Sequence, residues 1–149
     1  LGKGILDRKN LEGNVVDIGS HKGATVDTLA LYGGNVIGTD KGRFANNSPS
    51  GIDILPTEGI LLVSGKQREF NLVSCFNMDW VEEMSGKGFA SSLYEEAIPQ
   101  QSNNGEILYT FEKPEIIKEL KSIPNSHVIE LPKQYEKREK YVFTAKKSP

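Results

Sequence analysis

Val15-Val16-Asp17-Ile18-Gly19-Ser20-His21-Lys22-Gly23-Ala24-Thr25 passes from an apolar run through two glycines into a stretch where Val26, Leu29 and Ala30 recur at helical spacing. The pattern predicts a buried strand over Val15–Ile18, a tight glycine turn and a helix N-terminus. Glycine supplies backbone dihedrals closed to other residues, and at both 19 and 23 it leaves backbone N–H groups open to a ligand that a Cβ would keep away. A second apolar run, Asn35-Val36-Ile37-Gly38-Thr39, ends in Asp40, twenty-one residues after Gly19. An acid at that point can hold the two hydroxyls of a ribose.

Charge selects among nucleotides. Dinucleotide sites usually read G-x-G-x-x-G and set a pyrophosphate over the helix N-terminus, where free amides and the helix dipole favour it. Here the spacing is G-x-x-x-G, and Asp17 stands at the carboxyl end of the first strand. A carboxylate there repels pyrophosphate and attracts an ammonium group, directly or through water. An adenosine carrying a ribose diol and an amino-acid tail suits the arrangement better, and S-adenosylmethionine is such a ligand.

Asp-Ile-Gly-Ser-His-Lys-Gly followed by Val-Ile-Gly-Thr-Asp resembles motif I and the following acidic motif of class I S-adenosylmethionine-dependent methyltransferases. The resemblance implies that Asp17, Gly19, Ser20, His21 and Gly23 surround the methionine part of the cofactor and that Asp40 binds its ribose. An ordinary strand-to-helix turn without a ligand is the competing reading of the same glycines.

The 149 residues, 37% hydrophobic and 26% charged, describe one globular domain with room for one sizeable core. A formal net charge of −2 disfavours nucleic acid as a partner, since its binders usually carry a strong basic excess. Cys75 is the only cysteine, which excludes an internal disulfide and points to a reducing, cytoplasmic compartment. No apolar run is long enough for a membrane span, and the two histidines and one cysteine show no metal-ligand spacing. A chain beginning at Leu1 is expected to result from processing, trimming or excision from a longer protein, whose other domains would then be partners.

Farther along, Gly33-Gly34 should end the first helix, which runs from about Gly23 to Tyr32. Asn46-Asn47-Ser48-Pro49-Ser50-Gly51 reads as loop and leaves little room for a second full helix. Either Gly51 to Leu55 or Ile60 to Ser64 is the third strand. The first choice places Asp53 at a strand end, where many methyltransferases of this family carry an acid that contacts the adenine amine. Phe70–Phe76 reads as a fourth strand, Phe89, Leu93 and Ala97 as a helix ended by Pro99, and Glu106–Phe111 as a strand opened by the turn Asn103-Asn104-Gly105. Pro114 suits the first turn of a short helix carrying Ile116, Ile117 and Leu120.

This alternation predicts an α/β fold with a parallel sheet and helices on both faces. Only the C-terminus departs from it. His127–Leu131 and Lys140–Ala145 are strands separated by the eight residues Pro132 to Glu139, too few for a parallel crossover, so they pair antiparallel if they pair. A mostly parallel, Rossmann-like sheet with an antiparallel C-terminal hairpin strand is similar to that of class I methyltransferases. The resemblance then covers about Asn14 to Lys146.

Methyl transfer is an in-line displacement, for which a protein must align two reactants and exclude water. The segment after the fourth strand, Cys75-Phe76-Asn77-Met78-Asp79-Trp80, should lie at the carboxyl edge of the sheet, where ligands of open α/β folds bind. Asn77 and Asp79 can orient or deprotonate an acceptor there, or simply cap the turn; Trp80 can stack on adenine or wall off the site, or belong to the core. The segment lacks the Asp/Asn-Pro-Pro-aromatic signature of amino-group methyltransferases, and Cys75 lacks the Pro-Cys context of cytosine methyltransferases. Lys22 reads as an exposed loop lysine, and Lys133, Glu136, Lys137, Arg138, Glu139 and Lys140 as a solvated turn. Three functions follow as expectations: a methyltransferase with an unidentified acceptor, a methyltransferase-like binding or scaffolding module without catalysis, and a nicotinamide-dependent oxidoreductase. The glycine spacing and terminal hairpin speak against the third.

Overall fold

The computed structural model describes residues 6–42, 46–57, 59, 69–132 and 139–147. Seven strands form one sheet: β1 (Asn14–Ile18), β2 (Asn35–Thr39), β3 (Ile54–Leu55), β4 (Phe70–Cys75), β5 (Gln101–Phe111), β6 (Ser126–Glu130) and β7 (Tyr141–Lys146), in the order β3-β2-β1-β4-β5-β7-β6. The first five pair in parallel, whereas β7 runs antiparallel between β5 and β6. The expected hairpin therefore forms, with its last strand inside the sheet and β6 at the edge.

Side-chain alternation along the strands divides the interior into two cores. Leu11, Val15, Leu29, Leu72, Leu108 and Val142 pack on the face covered by α1 (Arg8–Leu11) and α2 (Ala24–Ala30). Val16, Ile18, Val73, Cys75, Tyr109 and Phe143 pack on the other, under α3 (Met78–Ser85), α4 (Phe89–Ala97) and α5 (Pro114–Leu120). Cys75 is wholly buried there, and burial pushes its thiol well above the ordinary cysteine range, as suits an inert core residue.

Three local readings need correction. Asn103, Asn104 and Gly105 do not precede β5; they lie within it, where the partner positions jump from Phe70–Gln101 to Leu72–Glu106 and Asn104 takes φ 65°. Turn-forming residues here make a bulge, which bends a strand without ending it. The segment after β4 is a helix, with Met78 and Val81 inward at i, i+3 spacing. β3 falls inside Gly51–Leu55 but comprises only Ile54 and Leu55, so Asp53 precedes the strand. The rival Ile60–Ser64, and Lys133, Glu136, Lys137 and Arg138 of the charged turn, lie outside the described residues.

Candidate functional site

The carboxyl ends of β1, β2 and β4 meet at one edge of the sheet, because parallel pairing sets Asp17 against Gly38 and Ser74, and Ile18 against Thr39. Alternation sends neighbouring side chains to opposite faces. Asp17 and Ser74 consequently turn to the α2 face, while Ile18 lies in the core on the α3 face.

Asp17 is 1% exposed. Its Oδ1 accepts a hydrogen bond from Ser74 Oγ at 2.8 Å, and its Oδ2 accepts from Thr25 Oγ1 at 2.7 Å and Ser20 Oγ at 3.0 Å. Burial pushes its pKa up to about 6 against the opposing pull of those three hydroxyls, with Asp40 adding a smaller upward push. The carboxyl that the sequence aims at a ligand ammonium is thus enclosed by hydroxyls of β4, α2 and its own loop. Sequence reasoning missed Thr25 and Ser74. Hydroxyl residues beside an acid in register were the available signal.

Asp40 is also buried, yet it faces backbone. Its Oδ2 accepts from His21 N at 2.7 Å and its Oδ1 from Gly42 N at 2.8 Å, so the β2 tip and the glycine loop are stitched together through this carboxylate. The N–H groups of Gly19 and Ser20 both donate to Thr39 O at 2.9 Å. The loop amides expected to receive a ligand all have protein acceptors here.

The two glycines of the loop are likewise approached by protein atoms. A Cβ on Gly19 (φ 73°) would stand 2.8 Å from Val81 Cγ2, and one on Gly23 (φ 93°) would stand 2.6 Å from Ser48 Cβ. Both positions need glycine for positive φ and for close approach. What approaches is α3 at Gly19 and the Ser48 segment at Gly23. His21 and Lys22 are exposed, and the His21 ring lies edge-on to Trp80 with centroids 6.4 Å apart.

Asp53 needs a positional correction. It is exposed, its carbonyl accepts from Gly38 N, and it borders a recess with Asn14 and Asn35, the first residues of β1 and β2. It therefore sits toward the amino edge of the sheet, away from the tips that carry Asp17 and Asp40. The strand is shorter and begins later than its apolar pattern suggested.

Asn77 and Asp79 open α3. Asn77 occupies the N-cap in the left-handed region at φ 61°, and its backbone N–H donates to Thr110 Oγ1 at 2.9 Å. Asp79 Oδ2 accepts from Glu112 N at 2.7 Å and Oδ1 from Lys113 N at 2.9 Å, fastening α3 to the chain that enters α5. With both oxygens held by backbone N–H groups, Asp79 acts in this conformation as a brace from α3 to the segment before α5, a different segment from the turn after β4. Trp80 is half-buried and packs at the edge of the core.

Between the glycine loop, the β2 tip and α3 lies a cavity of about 30 Å³, bordered by Ile18, Thr39, Asp40, Trp80, Val81 and Met84 among others. Such a space admits only small molecules such as water. Thr39 is fully buried at its wall, and its Oγ1 has no hydrogen-bond partner among the described residues. The chemistry of this edge fits the nucleoside expected from the sequence, with an acid at the β2 tip beside a glycine loop. Its space is small among the described residues, with Trp80, Val81 and Met84 of α3 along one side. No cluster of metal-ligating residues is found, and no helix is long and apolar enough to cross a membrane, among the described residues.

No family model matches the chain, and no curated protein matches its sequence. Solved structures do match. The chain is similar to an rRNA methylase from Streptococcus thermophilus, with TM-score 0.66 and 10% identity over 95% of this chain and 94% of that one. It is similar to the N-methyltransferase NodS from Bradyrhizobium japonicum in complex with S-adenosyl-L-homocysteine, with TM-score 0.68 and 13% identity over 95% and 84%. It also matches an S-adenosylmethionine-dependent O-methyltransferase from Thermotoga maritima, with TM-score 0.64 and 16% identity over 93% of this chain and 60% of that one. At these identities the likeness speaks for the fold. The chain has the Rossmann-like fold of class I methyltransferases, including the inserted antiparallel strand.

Proposed function

We propose that this chain is an S-adenosylmethionine-dependent methyltransferase domain whose donor site is the carboxyl edge at Gly19, His21 and Asp40. One observation carries the reading: the strand order β3-β2-β1-β4-β5-β7-β6, with β7 reversed, brings the glycine loop after β1 beside an acid at the tip of β2. In open α/β sheets that edge is where ligands bind. Asp40 is the residue proposed to hold the ribose hydroxyls. The Gly19–His21 backbone is proposed to face the amino-acid tail, while Asp17, Ser20 and Gly23 shape the loop from behind. Asn77 is proposed to present its side chain to the acceptor.

A catalytically silent module of the same fold is the second reading. The small cavity and the enclosed Asp17 are the observations on its side; the three solved structures above are methyltransferases and do not favour it. Calorimetric titration with S-adenosylmethionine, S-adenosylhomocysteine and NAD separates the readings. Binding of the first two that is lost in a folded Asp40→Ala variant is the expected result. Preference for NAD, or no nucleotide binding at saturation, would overturn it.

A further inference from the structure

Helix α3 borders the edge where the donor is proposed to bind. Its Trp80, Val81 and Met84 border the cavity, and the Val81 methyl occupies the approach to Gly19. Within the helix only Met78 and Val81 are buried, whereas α4 buries Phe89, Ala90, Leu93 and Ala97. Met84 is 50% exposed. Few apolar contacts therefore anchor α3, and a segment of that kind belongs to the low-stability end of a fold.

Polar fasteners at its ends and outer face add to the hold of Met78 and Val81. Asp79 bonds the backbone N–H groups of Glu112 and Lys113, Glu82 Oε2 accepts from Ala90 N at 3.0 Å, and Lys41 Nζ donates to Met84 O at 2.7 Å. The exposed Lys113–Glu83 ion pair at 3.4 Å adds little. Both ends of α3 lie in left-handed or otherwise glycine-favoured backbone: Asn77 at φ 61°, Gly86 at φ 108° and Gly88 at φ 91°. A few terminal residues of this kind can absorb the dihedral change of a hinge. The fully buried Thr39 hydroxyl, without a partner among the described residues and facing a cavity bordered by apolar residues of α3, marks a wall better matched by a polar ligand.

We infer that α3 is an autoinhibitory plug: it turns about Asn77 and Gly86–Gly88, and the donor nucleoside binds only the population in which Trp80, Val81 and Met84 have left the cavity. The inference rests on the donor-site reading above and adds its regulation. Apparent affinity then falls in proportion to the open fraction, so weakening the fasteners tightens binding.

Trp80 is the single tryptophan and reports directly on the helix. The test measures acrylamide quenching of Trp80 and S-adenosylhomocysteine affinity in the whole chain, in Asp79→Ala and in Val81→Ala, with near-ultraviolet circular dichroism to verify folding. Asp79→Ala releases a fastener, and Val81→Ala shortens the plug, so a folding failure in one leaves the other. The expected result is greater quenching in both variants and S-adenosylhomocysteine bound about 10-fold more tightly. Wild-type affinity or weaker in variants whose Trp80 has become accessible would overturn the plug and leave the donor site standing. No S-adenosylhomocysteine binding in all three chains would overturn the donor site, and the plug with it.

Discussion

Two carboxyls, one under α2 and one on α3, are both raised by burial, yet they hold their surroundings differently. Asp17, under α2, is enclosed by three hydroxyls from three elements and titrates at about 6. Glu82, on α3, is half-buried at the start of α4 and pushed up to about 7, first by burial and then by Glu119 beside it. Glu119 in turn accepts from Ser91 N at 3.0 Å, so two acids cap neighbouring amides of one helix. Around Asp17 every donor points inward and the assembly is closed. Around Glu82 two like charges share one helix end, in a groove also lined by Asp79, Glu83, Lys87, Lys113 and Lys118. The α2 side of the site is therefore a fixed frame, and the α3 side is the part that gives way.

Removing the frame should have the largest effect. Asp17→Ala takes the acceptor from three enclosed hydroxyls, and leaving several such groups unsatisfied costs roughly 3–5 kcal/mol, read as a lowered urea midpoint. A loss below about 1 kcal/mol would show that the hydroxyl cage does not hold α2 to the sheet.

The pH dependence follows from the same carboxyl. Its folded pKa of about 6 exceeds the ordinary 3.8, so the folded state binds the proton more tightly than the unfolded state. That contribution is fully present below the unfolded value and is lost as pH rises from about 4 to about 6. Over that window wild type should lose about 3 kcal/mol relative to Asp17→Asn, which does not titrate. Parallel stability profiles of the two proteins would contradict the assignment.

Glycine substitutions separate conformation from crowding. Gly19→Ala meets both a positive φ and the Val81 methyl and should cost about 2–3 kcal/mol. Gly33→Ala, with φ 89° and nothing within 4 Å of the added Cβ, should cost about 1 kcal/mol. Equal losses in thermal unfolding would mean that α3 does not press on the glycine loop.

The fold could be read from the chain because its strands carry their own signals. Val15–Ile18, Phe70–Cys75 and the terminal pair are apolar and β-branched or aromatic, and the eight residues from Pro132 to Glu139 exclude a parallel crossover. The site was read by type more than by contact. Asp40 and Gly19 do meet at one edge, but a glycine spacing cannot tell whether a ligand or a valine methyl approaches. Asp53 was misplaced because a two-residue strand leaves no periodicity to set its register. Helix α3 was missed because its apolar positions, Met78, Trp80, Val81 and Met84, span barely two turns directly after a strand.

The central claim is that the edge between Gly19 and Asp40 receives a methyl donor once α3 withdraws. Calorimetric titration of S-adenosylhomocysteine into Val81→Ala, repeated in the Val81→Ala, Asp40→Ala double variant, tests it most directly. The account predicts one site per chain in the first protein and loss of binding in the second while the fold persists. Undiminished binding without Asp40, or no binding with the plug shortened, would contradict it.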